Sequence, residues 1–193
     1  AITDRAERTV IKIPGPFEGT EQGAGNLVDN PSFETVNEKG DPKGWTGSWW
    51  AAKESGLSRV DPKDFLAVDD TTAKDGRRSM RIRSTRGGRV GSDEVLTLRG
   101  AAPIRITPGV AYELTCWWKS DGIVGIGKVW AQTPKRQFSF RGTINGTNPE
   151  WLPLKTAFTP DAGETSCQLN FSLHGKDGTL WVDWPSVGGP SPD

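Results

Sequence analysis

Apolar and polar residues alternate with period two along several short stretches of the chain. Thr9, Ile11 and Ile13 share one side of a first stretch, and Met80 and Ile82 alternate with Ser79, Arg81 and Arg83 in a second. Tyr112, Leu114, Cys116 and Trp118 share one side of a third. In a fourth, Cys167, Leu169, Phe171 and Leu173 alternate with Gln168, Asn170, Ser172 and His174. Leu180, Val182 and Trp184 form one side of a fifth. Such alternation, with one apolar side, predicts antiparallel strands that each cover a core. Apolar spacing of the helical kind never lasts beyond two turns. Asp75-Gly76, Gly87-Gly88, Pro108-Gly109, Asp121-Gly122, Asn145-Gly146 and Asp177-Gly178 punctuate the chain as turns. Strands broken this often predict an all-β, antiparallel β-sandwich or jelly roll.

The chain is long enough, at 193 residues, for one core of ordinary size. Residues 25–188 are read as that sandwich and 1–24 as an N-terminal extension or added edge strand. The loop-forming tail, 189–193, is read as the start of a linker. Gly, Pro and Trp are abundant (24, 14 and 9 residues), which favours short strands and turns over long helices. The 24 basic residues balance the 24 acidic ones, so no global field draws nucleic acid or an anionic membrane, and neither is expected as a partner. No apolar stretch approaches the roughly 20 residues that span a bilayer. The sequence, which begins at Ala1, contains no signal-peptide pattern and is read as a mature or excised, secreted or cell-surface module. Cys116 and Cys167 are too few for a disulfide framework or a structural zinc site. Buried thiols or a single bridge both remain open.

Three segments carry a resemblance. The first is Gly25-Asn26-Leu27-Val28-Asp29-Asn30-Pro31-Ser32-Phe33-Glu34 with Gly44-Trp45-Thr46. The second is Asp75-Gly76-Arg77-Arg78-Ser79-Met80-Arg81-Ile82 with Pro108-Gly109-Val110-Ala111-Tyr112-Glu113-Leu114-Thr115. The third is Gly178-Thr179-Leu180-Trp181-Val182-Asp183-Trp184-Pro185-Ser186-Val187. Together, in this order, they resemble the carbohydrate-binding modules of the family 4, 9, 16 and 22 type, whose fold is a jelly-roll β-sandwich. The resemblance implies a structural calcium ion, held by the side chains of Glu34 and Asp183 and by carbonyls of Ser32 and a residue near Arg77. Hard oxygen ligands of this kind suit calcium. Trp184 stands where a second acidic residue is common in such modules.

Sugar binding asks for aromatic rings under the C–H faces of a pyranose and for planar polar groups beside its hydroxyls. Gln168, Asn170, Ser172 and His174 offer such groups in one row, and Lys128, Trp130 and Gln132 offer a second. Trp130 is the first candidate for a stacking ring. Trp49 and Trp50 stand in what such a fold implies is a loop near the binding edge, where one of the two meets ligand. Trp117 is a further candidate, whereas Trp45, Trp151, Trp181 and Trp184 read as structural. Lys135, Arg136 and Arg141 beside Phe138 and Phe140 read as a solvated hairpin.

No catalytic residue is expected. His174 is the only histidine, no Gly-x-Ser-x-Gly elbow occurs, and Tyr112 falls on an apolar side while His174 falls on a polar one. The expected role is polysaccharide binding by a monomeric module joined to a catalytic domain, with a neutral glycan fitting the neutral chain unless a local basic patch reverses it. A structural or adhesion sandwich without a sugar site is one alternative. A jelly-roll lyase or hydrolase is the other.

Overall fold

A computed structural model describes residues 25–50, 63, 65–84, 94–140 and 143–188, with residues 48–50, 94 and 176 described by their backbone alone. The expectations for residues 1–24 and 189–193, the Thr9–Ile13 strand, Gly87-Gly88 and Arg141 lie outside them. The described elements are all strands: β1 (Trp45–Trp50), β2 (Leu66–Asp69), β3 (Ser79–Ser84), β4 (Glu94–Gly100), β5 (Ile104–Arg105), β6 (Tyr112–Gln132), β7 (Gln137–Ser139), β8 (Ile144–Phe158) and β9 (Ser166–Gly188). Among the described residues every strand pairing is antiparallel. Among the described residues no helix is long and apolar enough to cross a membrane.

The frame is a long ribbon of β6 and β9, paired from Glu113 opposite Gly188 to Gln132 opposite Gln168. Each half of the ribbon takes its own neighbours. The half holding 112–121 and 178–188 is flanked by β8 on one edge and by β3, then β2, on the other. The half holding 125–132 and 166–175 is flanked by β7 on one edge and by β4, then β1, on the other, with β5 beside the start of β9. The ribbon thus belongs to both layers of a jelly-roll sandwich. The layers are called here the β8 layer and the β4 layer.

Alternation decides what each layer buries. Leu96, Leu98, Val129, Ala131, Leu169, Phe171 and Leu173 of the β4 layer are buried, as are Met80, Ile82, Leu114, Leu154, Leu180 and Val182 of the β8 layer. Burying a large apolar side chain contributes roughly 1.5–3 kcal/mol, and these residues form one continuous core. Trp45 closes its end. Its ring lies 5.2 Å from Phe33 and 5.9 Å from Phe171, and its Nε1 donates to Asn30 O at 3.2 Å. Cys116 and Cys167 are both buried free thiols, so the bridge is absent.

The structure corrects several of these expectations. Asn145-Gly146 lies inside β8, and Asp121-Gly122 and Asp177-Gly178 do not end strands either. The latter two lie where β6 and β9 bend together from one layer into the other, with register shifts between Asp121 and Gly125. The chains run so close at this corner that a Cβ on Gly125 would stand 2.1 Å from His174 O, and one on Gly178 would stand 2.4 Å from Ile123 Cα. Ser79 keeps the side of Arg81, opposite to Met80, but is not exposed there: it is fully buried, and its hydroxyl donates to Thr72 O at 2.7 Å. Trp184 leaves the apolar side of its strand. A bulge between Asp183 and Ser186, with Trp184 at φ 47°, breaks the period and leaves Asp183 buried instead.

The turn between β8 and β9 is anchored by a buried carboxylate. Glu164 is inaccessible to solvent and accepts hydrogen bonds from Arg136 (2.8 Å), the Thr133 hydroxyl and the Asp161 N–H (2.6 Å). The Arg136 hydrogen bond, then the Thr133 hydroxyl and the Asp161 amide, hold its carboxyl down at about 2 against the opposing effect of burial. A carboxylate lowered by folding contributes stability that is complete above its ordinary value of 4.5 and is lost as pH falls toward about 2. Calorimetry from pH 7 to pH 2 is therefore expected to show an acid limb that flattens in Glu164→Gln, which also melts lower at pH 7. Parallel limbs for the two proteins would contradict this. Arg136 is thus an ion-paired anchor, also 3.0 Å from Asp161, and not a solvated cation.

Candidate functional site

The outward side of the β4 layer gathers the polar residues of its strands into rows. Antiparallel partners share a side, so the register reads across the sheet directly. Val95, His174 and Ile126 form one row, and Thr97, Ser172 and Lys128 the next. Arg99, Asn170, Trp130 and Ser139 form the third. Gln168, Gln132 and Gln137 form the fourth, and Arg105 stands opposite Ser166 beyond it. Lys128, Trp130, Gln132, Gln168, Asn170 and His174, chosen from two separate stretches of sequence, therefore lie on one side of two neighbouring strands.

Their chemistry differs from residue to residue. Lys128 is exposed, whereas Trp130, Gln132, Gln168 and His174 are partly exposed. Asn170 is only 2% exposed: its Oδ1 accepts from Arg99 Nε at 3.0 Å and its Nδ2 donates to Gln168 O at 2.9 Å. It therefore holds Arg99 in place and cannot itself meet a ligand without rearrangement. Gln168 donates to Gly100 O at 2.7 Å, and Gln132 donates to Thr133 O at 2.8 Å and Arg136 O at 3.1 Å. Their amides are thus oriented by the backbone, which lowers the cost of ordering them in a complex. His174 Nε2 lies 2.8 Å from Ser172 Oγ. Trp49 and Trp50 lie not in a loop but in strand β1, paired with Leu96 and Val95, and their side chains lie outside the described residues.

Arg99 and Arg105 were missed by the sequence reading. The signal was present in Val95-Leu96-Thr97-Leu98-Arg99, which alternates like the other strands. Apart from Trp45 on β1, the remaining tryptophans occupy strands of the opposite layer. Trp117 pairs with Asp183 in the β8 layer, and Lys74 Nζ sits 4.3 Å above its ring. This is packing beneath a loop, not a place on the β4 face. Lys119 Nζ lies 4.9 Å from the Trp181 ring and 5.4 Å from that of Trp151, while Trp181 Nε1 donates to Asp69 Oδ2 at 2.8 Å. These rings already carry ammonium groups and hydrogen bonds. Tyr112 is buried in the β8 layer, its hydroxyl accepting from Thr107 N at 2.9 Å, so it forms no pair with His174.

A second constellation joins three distant segments. Asp183 is fully buried, and its Oδ2 accepts from the N–H groups of Lys74 (2.7 Å) and Asp75 (3.1 Å). Glu34 Oε1 accepts from those of Arg77 (2.6 Å) and Arg78 (2.9 Å). The 74–78 turn passes so close that a Cβ on Gly76 would lie 2.5 Å from Glu34 Oε1. Burial pushes the Asp183 carboxyl up to about 7 against the three amides that lower it. Two carboxylates on one turn, one of them buried without a cationic partner among the described residues, suit a hard cation. Among the described residues no three ligating side chains cluster, so such an ion would draw most of its shell from carbonyls and water. Ser32 is buried beside Glu34 in sequence.

Comparison with solved structures identifies the architecture. A family 61 carbohydrate-binding module, TmCBM61, solved in complex with β-1,4-galactotriose, aligns at TM-score 0.58 and 14% identity over 85% of this chain and 98% of its own. Modules of families 16, 22 and 4 also match. The chain has the fold of the jelly-roll carbohydrate-binding modules. An N-terminal endo-1,4-β-D-xylanase 10B from Clostridium thermocellum, comprising CBM22-1 and GH10 modules and complexed with xylohexaose, aligns at TM-score 0.54 and 14% identity. There the match covers 88% of this chain and 29% of that one. A cyclase from Fischerella sp. aligns at TM-score 0.58 and 12% identity over 88% of this chain and 98% of its own, so the fold serves enzymes too. No family model and no curated protein matches the chain by sequence.

Proposed function

We propose that the chain binds a polysaccharide or oligosaccharide on the outward side of the β4 layer and does so without catalysis. One observation carries the reading. Trp130, a partly exposed ring, pairs directly with Asn170 in a row that also holds Arg99, with oriented glutamines on the next row. An indole beside fixed donors and acceptors is the combination that a pyranose needs, an apolar face with hydroxyls around its edge. The carbohydrate-binding modules that share this fold support it, as does the xylanase chain in which such a module accompanies a GH10 module. A secreted, monomeric module tethered to a catalytic domain would raise the domain's effective concentration at its substrate.

Affinity electrophoresis against a panel of soluble polysaccharides tests this. Retardation by at least one polymer is expected, without release of reducing sugar or new ultraviolet absorbance. Unchanged mobility across a broad panel favours a structural or adhesion sandwich instead. Product release favours a lyase or hydrolase, a reading that the cyclase of similar fold keeps in view.

The same reading includes a structural calcium ion. Glu34 and Asp183 would supply side-chain oxygens, and Ser32 and Arg77 carbonyl oxygens. The ion would pin the start and the end of the sandwich to the 74–78 turn. An ion bound only by the native state raises stability by mass action, by about 2.7 kcal/mol at a hundredfold excess over its dissociation constant. A chelator is therefore expected to lower Tm by roughly 5–10 °C, and added calcium to restore it. A melting curve indifferent to both would remove the ion from the account.

A further inference from the structure

The charges on the proposed binding face are one-sided. Arg99, Arg105 and Lys128 stand exposed on it, and His174 adds an imidazole. The other described side chains in its rows are Thr46, Val95, Thr97, Ser139, Ser166, Ser172, Ile126, Trp130, Asn170 and the three glutamines, with no aspartate or glutamate among them. Among the residues whose side chains are described, the carboxylates nearest this face stand at turns. Asp161 and Glu164 are both engaged with Arg136, and Asp177 stands at the corner. A chain with equal numbers of acids and bases does not produce such a surface by composition alone.

In the β8 layer Arg83 is likewise exposed, but two lysines there are engaged. There Lys155 pairs with Glu113 at 2.5 Å, and Lys119 donates to Thr72 at 2.6 Å between two indoles. Lys128 and Arg105 have no ion pair and no side-chain hydrogen bond among the described residues. Arg99 is held through Nε by Asn170, which leaves its two terminal amino groups as a fork suited to a planar carboxylate. By strand geometry Arg99 and Trp130 stand about 10 Å apart across two strands, and Lys128 about 7 Å from Trp130 along one. These separations bracket a sugar ring seated on the indole.

Resting on the proposed binding function, we propose that the ligand is a polyuronate: a uronic acid ring stacks on Trp130, and carboxylates along the polymer are met by Arg99, Lys128 and Arg105. The local basic surface thus reverses the preference for a neutral glycan drawn from net charge.

Acid and ester forms of one backbone isolate the charge. Sodium polygalacturonate, alginate and hyaluronan, each beside its methyl ester, are titrated into the protein with neutral galactan and glucomannan for comparison. Polyglutamate and single-stranded DNA serve as polyanions without uronate rings. At least one acid form is expected to bind roughly tenfold or more tightly than its ester, and to weaken about as much between 50 and 500 mM salt. Lys128→Gln with Arg105→Gln is expected to lower that affinity about tenfold at unchanged Tm. Equal binding of acids and esters, or binding of neutral glycans alone, overturns the inference and leaves the binding function standing. Equal binding of polyglutamate or DNA also overturns it, as bare ion exchange. Failure to bind every sugar polymer removes the binding function itself.

Discussion

Trp130→Ala is expected to weaken polysaccharide binding by about 30–150-fold, the cost of truncating a central aromatic anchor by roughly 2–3 kcal/mol. The ring is partly exposed, on the outward side of β6, while its neighbours Val129 and Ala131 carry the packing. Tm should therefore stay within about 2 °C of the parent. Trp130→Phe keeps a smaller stacking surface and should recover part of the affinity. Trp181→Ala is the complementary case. It removes the indole that donates to Asp69 and lies under Lys119, so it should lower Tm and leave affinity alone. Isothermal titration and calorimetry on the three variants separate these outcomes. Full binding by Trp130→Ala would show that the sugar sits elsewhere.

The largest expected effect on stability belongs to the corner of the β6–β9 ribbon. Gly178→Val puts a Cβ 2.4 Å from Ile123 Cα and 2.6 Å from Gly122 O, at a backbone φ of 110° that a β-branched residue does not adopt. Both atoms belong to the backbone of the partner strand and cannot step aside as a flexible side chain would. Strain and overlap together are expected to cost about 4 kcal/mol or more, a fall in Tm of roughly 10 °C. Circular dichroism melts measure it. A variant melting with the parent would mean that the two layers are not joined by so tight a bend.

Much of the candidate site was legible because period two sorts residues by side without reference to neighbours. Gln168, Asn170 and His174 could be assigned to the polar side of one strand, and Lys128, Trp130 and Gln132 to that of another, from alternation alone. That these strands are adjacent, with Trp130 opposite Asn170, is a matter of register, which depends on pairing across some 40 residues of chain. The basic character of the face was hidden for the same reason: Arg99, Arg105 and Lys128 come from three strands and meet only when the strands are ordered. Asn170 was read as a sugar contact because its type and parity fit. Its engagement by Arg99 depends on the pairing of β4 with β9, which alternation within one strand does not announce. Trp184 failed for a local reason, since a bulge adds a residue and inverts parity downstream. Asp121-Gly122 and Asp177-Gly178 share the composition of strand-ending turns, and only their mutual pairing turns them into a bend.

The most direct test is to follow the nine indole N–H resonances while a bound polysaccharide fragment, chosen from the electrophoresis panel, is titrated into the ¹⁵N-labelled protein. The Trp130 signal, assigned by its loss in Trp130→Phe, should shift and saturate while those of Trp117, Trp151 and Trp181 stay in place. Shifts confined to the β8-layer indoles, with the Trp130 signal still, would contradict the assignment of the binding face.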